Sequence, residues 1–246
     1  MNAVPTDFNT GVVAPFDCLK EGWEMIKDQY WLFFGITLVA MLIGGAVPLI
    51  LIGPMTCGLY LCLFARMRGE PVQFENLFKG FDYFVQGLIA ALIQAIPAFV
   101  IVVPAYAVFA IFSIFMLPHD RYSRSEGPPV AFFIILVLFV IVVVVVSVLI
   151  HSLFIFSYPL IVDRKLPGFE AVKLSVRAAF KNFGGVLGLT LLLVGLGILG
   201  VICCYVGVLF VLPVSFAAYA AAYRRVFPDI PQSFMAPPPP PASWAA

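Results

Sequence analysis

Charge is what this sequence has least of. Only 11% of its 246 residues are Asp, Glu, Lys or Arg and 63% are apolar. An ordinary soluble domain is nearer one quarter charged and one half apolar. Four stretches carry no charge at all: between Asp28 and Arg66, Asp82 and Asp120, Glu126 and Asp163, and from Asn182 to Tyr223, each longer than 35 residues. A helix crosses a bilayer with about 20 residues, so the first and last of these runs can each hold two short spans. Net charge is +1, and no nucleic-acid partner is expected; the placement of the charges is what informs.

Other absences narrow the function. Residues 1–15 contain Asp7 but no Lys or Arg, so the basic region of a secretory signal is missing. The five cysteines (18, 57, 62, 203, 204) sit mostly within apolar runs. They form no CxxC pair and have no nearby His, so they read as small buried thiols rather than metal ligands. No HExxH, GxSxG, phosphate-binding loop or carboxylate pair occurs within an apolar run, so neither an enzyme nor a cofactor is expected. No apolar run has Asp, Glu, Lys or Arg at depth. Intramembrane charge is costly and is kept where coupling to ions or protons needs it, so its absence argues against a secondary transporter.

What is present is repetition. Set on Phe169 at an offset of 153, Phe16, Leu19, Trp23, Ile26 and Tyr30 fall on Phe169, Val172, Val176, Ala179 and Phe183. Spacings of three and four put each set on one helix face. Lys20, Gly35, Thr37 and Leu38 are identical to Lys173, Gly188, Thr190 and Leu191; beyond a six-residue insertion, Pro54, Tyr60 and Arg66 match Pro213, Tyr219 and Arg225. A fainter copy starts at Phe74-Glu75-Asn76-Leu77, echoing Phe16-Asp17-Cys18-Leu19. The expected architecture is therefore all-α and polytopic. Six transmembrane helices form three hairpins, each preceded by an amphipathic interfacial helix.

In chain order, residues 1–15 are a polar leader. The three cassettes occupy 16–68, 74–162 and 169–226 of one membrane domain, and 227–246 is a disordered tail containing Pro237 to Pro241. The first hairpin rises over Tyr30–Gly45, turns at Gly44-Gly45-Ala46-Val47-Pro48 and descends to Ala65. Pro97 and Pro104 should kink the third span. Val130–Leu160, about 46 Å of helix, is the fourth; its valine-rich centre is read as helix because lipid leaves no partner for an open strand edge. The glycines of span five and the alanines of span six place that pair at the packed centre or at a subunit interface. Twelve Lys and Arg lie on one side of this arrangement and only Arg121 and Arg124 on the other, which puts both termini in the cytoplasm.

Three groups of residues are singled out. His151, the one ionisable side chain inside a span, shares a helix face with Ser147; its expected role is an interhelical hydrogen bond, with Gln94 as the partner, and the alternative is a proton or ligand site. Tyr60, Tyr158 and Tyr219 each precede an arginine by six residues (Arg66, Arg164, Arg225) and read as interfacial anchors. Lys173, Arg177 and Lys181 form a basic face suited to anionic headgroups.

Arg68-Gly69-Glu70 followed by Asn76-Leu77-Phe78-Lys79-Gly80-Phe81 resembles a loop in uncharacterised six-span bacterial membrane proteins. Those families are similar to the membrane domain joined to some glycerophosphodiester phosphodiesterases. The resemblance covers residues 16–226 and implies a multi-pass protein of the bacterial inner membrane. It transfers no catalytic residue, since the phosphodiesterase chemistry belongs to a separate soluble domain. The expected function is non-enzymatic: organising or regulating partners or lipid within the membrane, with the bilayer, other membrane proteins or a second copy of itself as partners. The alternative is a carrier or pore for a small molecule or lipid, its path lying between the hairpins.

Overall fold

In a computed structural model of the chain, residues 8–116, 130–202 and 206–228 are described; the polar loop with Arg121 and Arg124, Cys203, Cys204 and most of the proline-rich tail lie outside them. Every regular element among the described residues is helical. Helix α1 (Pro15–Ile26) runs through a short 3-10 turn into α2 (Tyr30–Ala46); α3 (Ile52–Met67) follows. A 3-10 segment, Phe74–Tyr83, leads to α4 (Phe84–Pro97), a π-helical stretch Ala98–Val102 and α5 (Val103–Met116). Then come α6 (Val130–Phe154), α7 (Ser157–Asp163), α8 (Gly168–Lys181), α9 (Phe183–Ile202) and α10 (Val206–Val226).

Among the described residues, five helical runs are long and apolar enough to cross a membrane: Pro15–Ala46, Phe74–Ile114, Phe132–Asp163, Phe183–Ile202 and Val206–Val226. Helix α3 is the shorter apolar one; its 16 residues rise about 24 Å, less than the ~30 Å of a hydrocarbon core. It is nevertheless the most enclosed, buried without interruption from Gly53 to Tyr60 and again from Cys62 to Ala65. It packs against α2, α4, α7, α10 and the 3-10 segment. Of the α9 glycines, Gly185, Gly188 and Gly200 meet Val13, Pro15 and Val208, while Gly184, Gly195 and Gly197 meet nothing within 4 Å; α3 and the alanine-rich half of α10 are more fully buried than α9. A small residue permits a close approach, but only a helix that actually arrives makes use of it.

Three such approaches tie the bundle together. Gly22 of α1 lies on the backbone of α10, where an added Cβ would sit 2.5 Å from the Ala218 nitrogen. Gly80 of the 3-10 segment and Gly58 of α3 lie on each other, and a Cβ on either would overlap backbone. Ser175 of α8 occupies the break between α6 and α7, accepting from the Phe156 amide (3.2 Å) and donating to the Leu153 carbonyl (2.9 Å). The break arises because Pro159 has no N–H to return to the preceding turn, and the buried Ser175 hydroxyl supplies bonds there. Helices α1 and α8 are thus clamped against the bundle through buried stripes, Cys18, Gly22 and Ile26 on α1 and Ala171, Ser175 and Ala178 on α8. Of the apolar face expected to rest on lipid, Phe16, Trp23 and Phe169 are exposed, while Ile26, Val172 and Ala179 are buried in protein.

The prolines act where the sequence placed them. Helix α4 ends on Pro97, and the backbone passes through π geometry before α5 resumes around Pro104, a usual way of absorbing a lost helical hydrogen bond. The first apolar turn falls at Val47–Leu51, slightly later than Gly44–Pro48, with Leu49 at a positive φ of 70°.

One end of the bundle collects the charge. Arg224 grips Asp163 through both carboxylate oxygens (2.9 and 3.1 Å), and the Tyr223 hydroxyl donates to the same carboxylate at 2.7 Å. Arg225 reaches Glu21 at 2.6 Å, and Arg66 reaches the Met25 carbonyl and Asp28. Buried Arg164 covers the Phe227 ring at 5.1 Å. On the adjoining loop Arg68 chelates Glu70, whose carboxyl is held below its ordinary pKa by that hydrogen bond.

Candidate functional site

Ten residues before Arg66 stands Thr56, and ten before Arg225 stands Ser215. At ~1.5 Å per helical residue both lie about 15 Å from the charged end, half the depth of a hydrocarbon core. Here the helices part around a cavity of about 400 Å³. Helix α2 contributes Met41; α3 contributes Ile52, Thr56 and Tyr60; α4 contributes Gln94. Phe154 and His151 come from α6, Ile155 from the break after it, and Tyr158 from α7. Leu212, Ser215, Phe216 and Tyr219 complete the wall from α10.

The wall is apolar with a ring of uncharged hydrogen-bonding groups, and no Asp, Glu, Lys or Arg takes part. That combination of an apolar body with a few convergent polar groups is typical of small-molecule sites. Gln94 lies near the Tyr158 hydroxyl and Thr190 near that of Tyr219, and the Thr190 hydroxyl donates to the Val186 carbonyl at 2.9 Å. The Gln94 Nε2 amide is nonetheless buried without a partner among the described residues. His151 stands edge-on to Tyr219, ring centres 5.9 Å apart, and Tyr60 stands edge-on to Phe216 at 6.1 Å. His151 and Ile52 are the exposed members of the wall.

The residues singled out from sequence divide here. His151 and Gln94 do meet at one cavity, but Gln94 reaches toward Tyr158 rather than His151. Ser147, one turn before His151, is exposed and takes no part in the wall. Tyr60, Tyr158 and Tyr219 line the cavity. Six residues, about 9 Å, carry each ring away from its arginine and into the bundle. Arg66, Arg164 and Arg225 are held by protein groups: Met25 and Asp28; the Pro228 carbonyl and Phe227; and Glu21 and Asp17. The three tyrosines of the tyrosine–arginine recurrence thus line the cavity wall, and the three arginines are held by protein groups at the charged end. Thr56 and Ser215 were passed over in the sequence, although both precede a repeat arginine by ten residues, which was the available signal.

Lys173, Arg177 and Lys181 of α8 are exposed. Lys173 and Arg177 border a second cavity of about 400 Å³ with Phe8, Leu166, Glu170 and Leu174; Lys181 is exposed but outside it. Among the described residues no group of three or more His, Cys, Asp or Glu is placed to hold a metal ion. Compared with known protein families, with functionally described proteins and with solved structures, the chain matches none.

Proposed function

We propose that the protein is a non-enzymatic integral membrane protein that takes up a small lipid-soluble molecule in a cavity at mid-bilayer depth, as a carrier or store. The observation that carries this is the uncharged ring of Thr56, Tyr60, Gln94, His151, Tyr158, Ser215 and Tyr219 around one opening in otherwise apolar helices. A protein that only gathers partners has no need of such a ring. Polar side chains in lipid cost free energy unless they are used.

The proposal includes six spans, with α3 as the sixth, both termini cytoplasmic in a bacterial inner membrane, and three cassettes in a ring. Packing across the three approaches supports the ring. At the offsets read from the sequence, Gly22, Gly80 and Ser175 are equivalent positions, and so are Ala217, Gly58 and Phe156. Each member of the first set packs on a member of the second: Gly22 on Ala217, Gly80 on Gly58, Ser175 on Phe156. The lead-in segment of each cassette thus rests on the last helix of the cassette before it, cyclically. Tyr60, Tyr158 and Tyr219 are equivalent in the same alignment, as are Thr56, Phe154 and Ser215, and all six line the one cavity. Such parallel copies relate by rotation about an axis near the membrane normal, unlike inverted repeats. The resemblance to six-span bacterial membrane proteins is consistent with this reading.

Two experiments test it. Native mass spectrometry of the full protein extracted in mild detergent should show a retained small molecule, lost when Ser215→Trp fills the cavity; the same adducts on both proteins would sink the carrier reading. Single cysteines at Ser123 and Ser233 in a cysteine-free background should react with an impermeant thiol reagent from opposite sides, and labelling of both from one side would refute the topology.

A further inference from the structure

We infer that the molecule held in the cavity is an uncharged amphiphile whose head presents carbonyl or ester oxygens, such as a diacylglycerol or a quinone, rather than an anionic lipid. This rests on the carrier reading and names its ligand class. The wall contains no cationic side chain, so a phosphate or carboxylate would sit unpaired at mid-depth, where an isolated charge is most expensive. The wall does offer donors. Three tyrosines, Thr56, Ser215 and His151, all able to donate, line one space. The Thr56 and Ser215 hydroxyls already donate back to carbonyls in their own helices at 2.7 and 3.0 Å. The Gln94 Nε2 amide is different: it is buried and donates to nothing among the described residues. A buried, unused donor calls for an acceptor, and an accepting oxygen on a neutral head satisfies it without bringing charge.

Size and opening agree. A volume of about 400 Å³ is about thirteen times the ~30 Å³ share of one liquid water. It takes a head group with the start of a chain and no whole two-chain lipid. The remaining chain would extend past the wall members that are exposed, Ile52 and His151. By contrast, the basic groups able to pair with an anionic head, Lys173 and Arg177, lie on a different cavity.

The test measures binding to the full protein in detergent by native mass spectrometry, with dioctanoylglycerol and dioctanoyl phosphatidic acid as probes of equal chain length. Cavity binding is the part lost in Ser215→Trp, or in Thr56→Leu if the first variant does not fold. Dioctanoylglycerol should bind the cavity at least about tenfold more tightly than its phosphate ester, and Gln94→Leu should weaken it about tenfold, the worth of one good buried hydrogen bond. Equal or tighter cavity binding of the phosphatidic acid would overturn the ligand class while leaving the carrier reading in place, as would a folded Gln94→Leu protein that binds dioctanoylglycerol like the parent. Cavity binding of neither probe would remove the carrier reading and the ligand class with it. Should Gln94→Leu fail to fold, the ratio of the two probes on the unaltered protein decides.

Discussion

The molecule has two regions that obey different packing rules. Around α3, helices approach backbone to backbone: Gly53 meets Gly87, Gly58 meets Gly80 and Leu77, Gly22 meets Ala217 and Ala218. The α5 and α6 pair has no glycine in either helix and touches mainly through aromatic rings, Phe109 stacked on Phe139 at 4.4 Å and Tyr106 edge-on to Phe139 at 5.4 Å. Its Ile, Val and Leu side chains are exposed around the helix, among them Val137, Leu138, Val142 and Val145. In water such a surface would be ruinous. In lipid it costs little, because hydrocarbon is as good a neighbour as another side chain. Hydropathy is therefore greatest where packing is least: the span containing α6 is the most apolar of the five and the least buried. What holds this chain together is close approach and hydrogen bonding, and those sit in its less hydrophobic helices.

The contrast can be broken by substitution, and the largest effect belongs to the glycines. Gly58→Val places a side chain into the Leu77 carbonyl and should cost more than about 4 kcal/mol, since backbone on both sides cannot yield. In SDS-titrated mixed micelles it should give no cooperative unfolding transition. Gly195→Val, with nothing within 4 Å, should unfold like the parent to within about 0.5 kcal/mol. Comparable losses from both would show that glycine content, and not approach, governs this bundle.

Next in size is the charged clasp. Arg224 and Asp163 are only 16% and 19% exposed, so Arg224→Leu, which strands the carboxylate beside the Tyr223 hydroxyl, should lower stability by about 2 kcal/mol in the same titration. The Arg68–Glu70 pair is half exposed and should behave oppositely. Arg68→Ala should leave the unfolding midpoint unchanged while the Glu70 carboxyl titrates nearer its ordinary range, as followed by NMR. The sign follows from the direction of the shift: a depressed carboxyl favours the folded state above its unfolded pKa, and that favour fades as pH falls through the folded value.

The smallest effects are expected in the α5–α6 region. Phe139→Ala removes one stacked and one edge-on ring contact and should cost about 1 kcal/mol. Val144→Ala, on the exposed surface, should change stability by no more than about 0.5 kcal/mol, where the same truncation in a soluble core costs several times that. A cost above 2 kcal/mol at Val144 would mean that protein rather than lipid covers this face.

Much of the candidate site was visible in the chain as separate residues, without their convergence on one cavity. The recurrence of tyrosine six residues before arginine was plain, yet it suggested a rim at the headgroups. Six residues on a helix are most of two turns, and the helices turn those rings inward toward one space. Gln94 and His151 stood out because lone polar groups in apolar runs are conspicuous. Thr56 and Ser215 did not, since hydroxyls that bond their own helix are commonplace in such sequences. Ser147 looked equivalent to His151 at four-residue spacing, but the wall ends between them.

The sequence by itself determined that the chain is helical and apolar enough to enter a membrane, where its helices begin and end to within a few residues, and which ends carry charge. These are local matters: the backbone must satisfy its own hydrogen bonds in lipid, and arginine and aspartate do not stay at depth. Only the tertiary structure decided that α3 is more fully buried than α9, that α1 and α8 are gripped by neighbours, and that three tyrosines distant in sequence share a wall with Gln94 and His151. A cavity is volume left between helices, fixed by their relative rotation and approach. Small side chains permit many such arrangements, and the contacts among all the helices together select one.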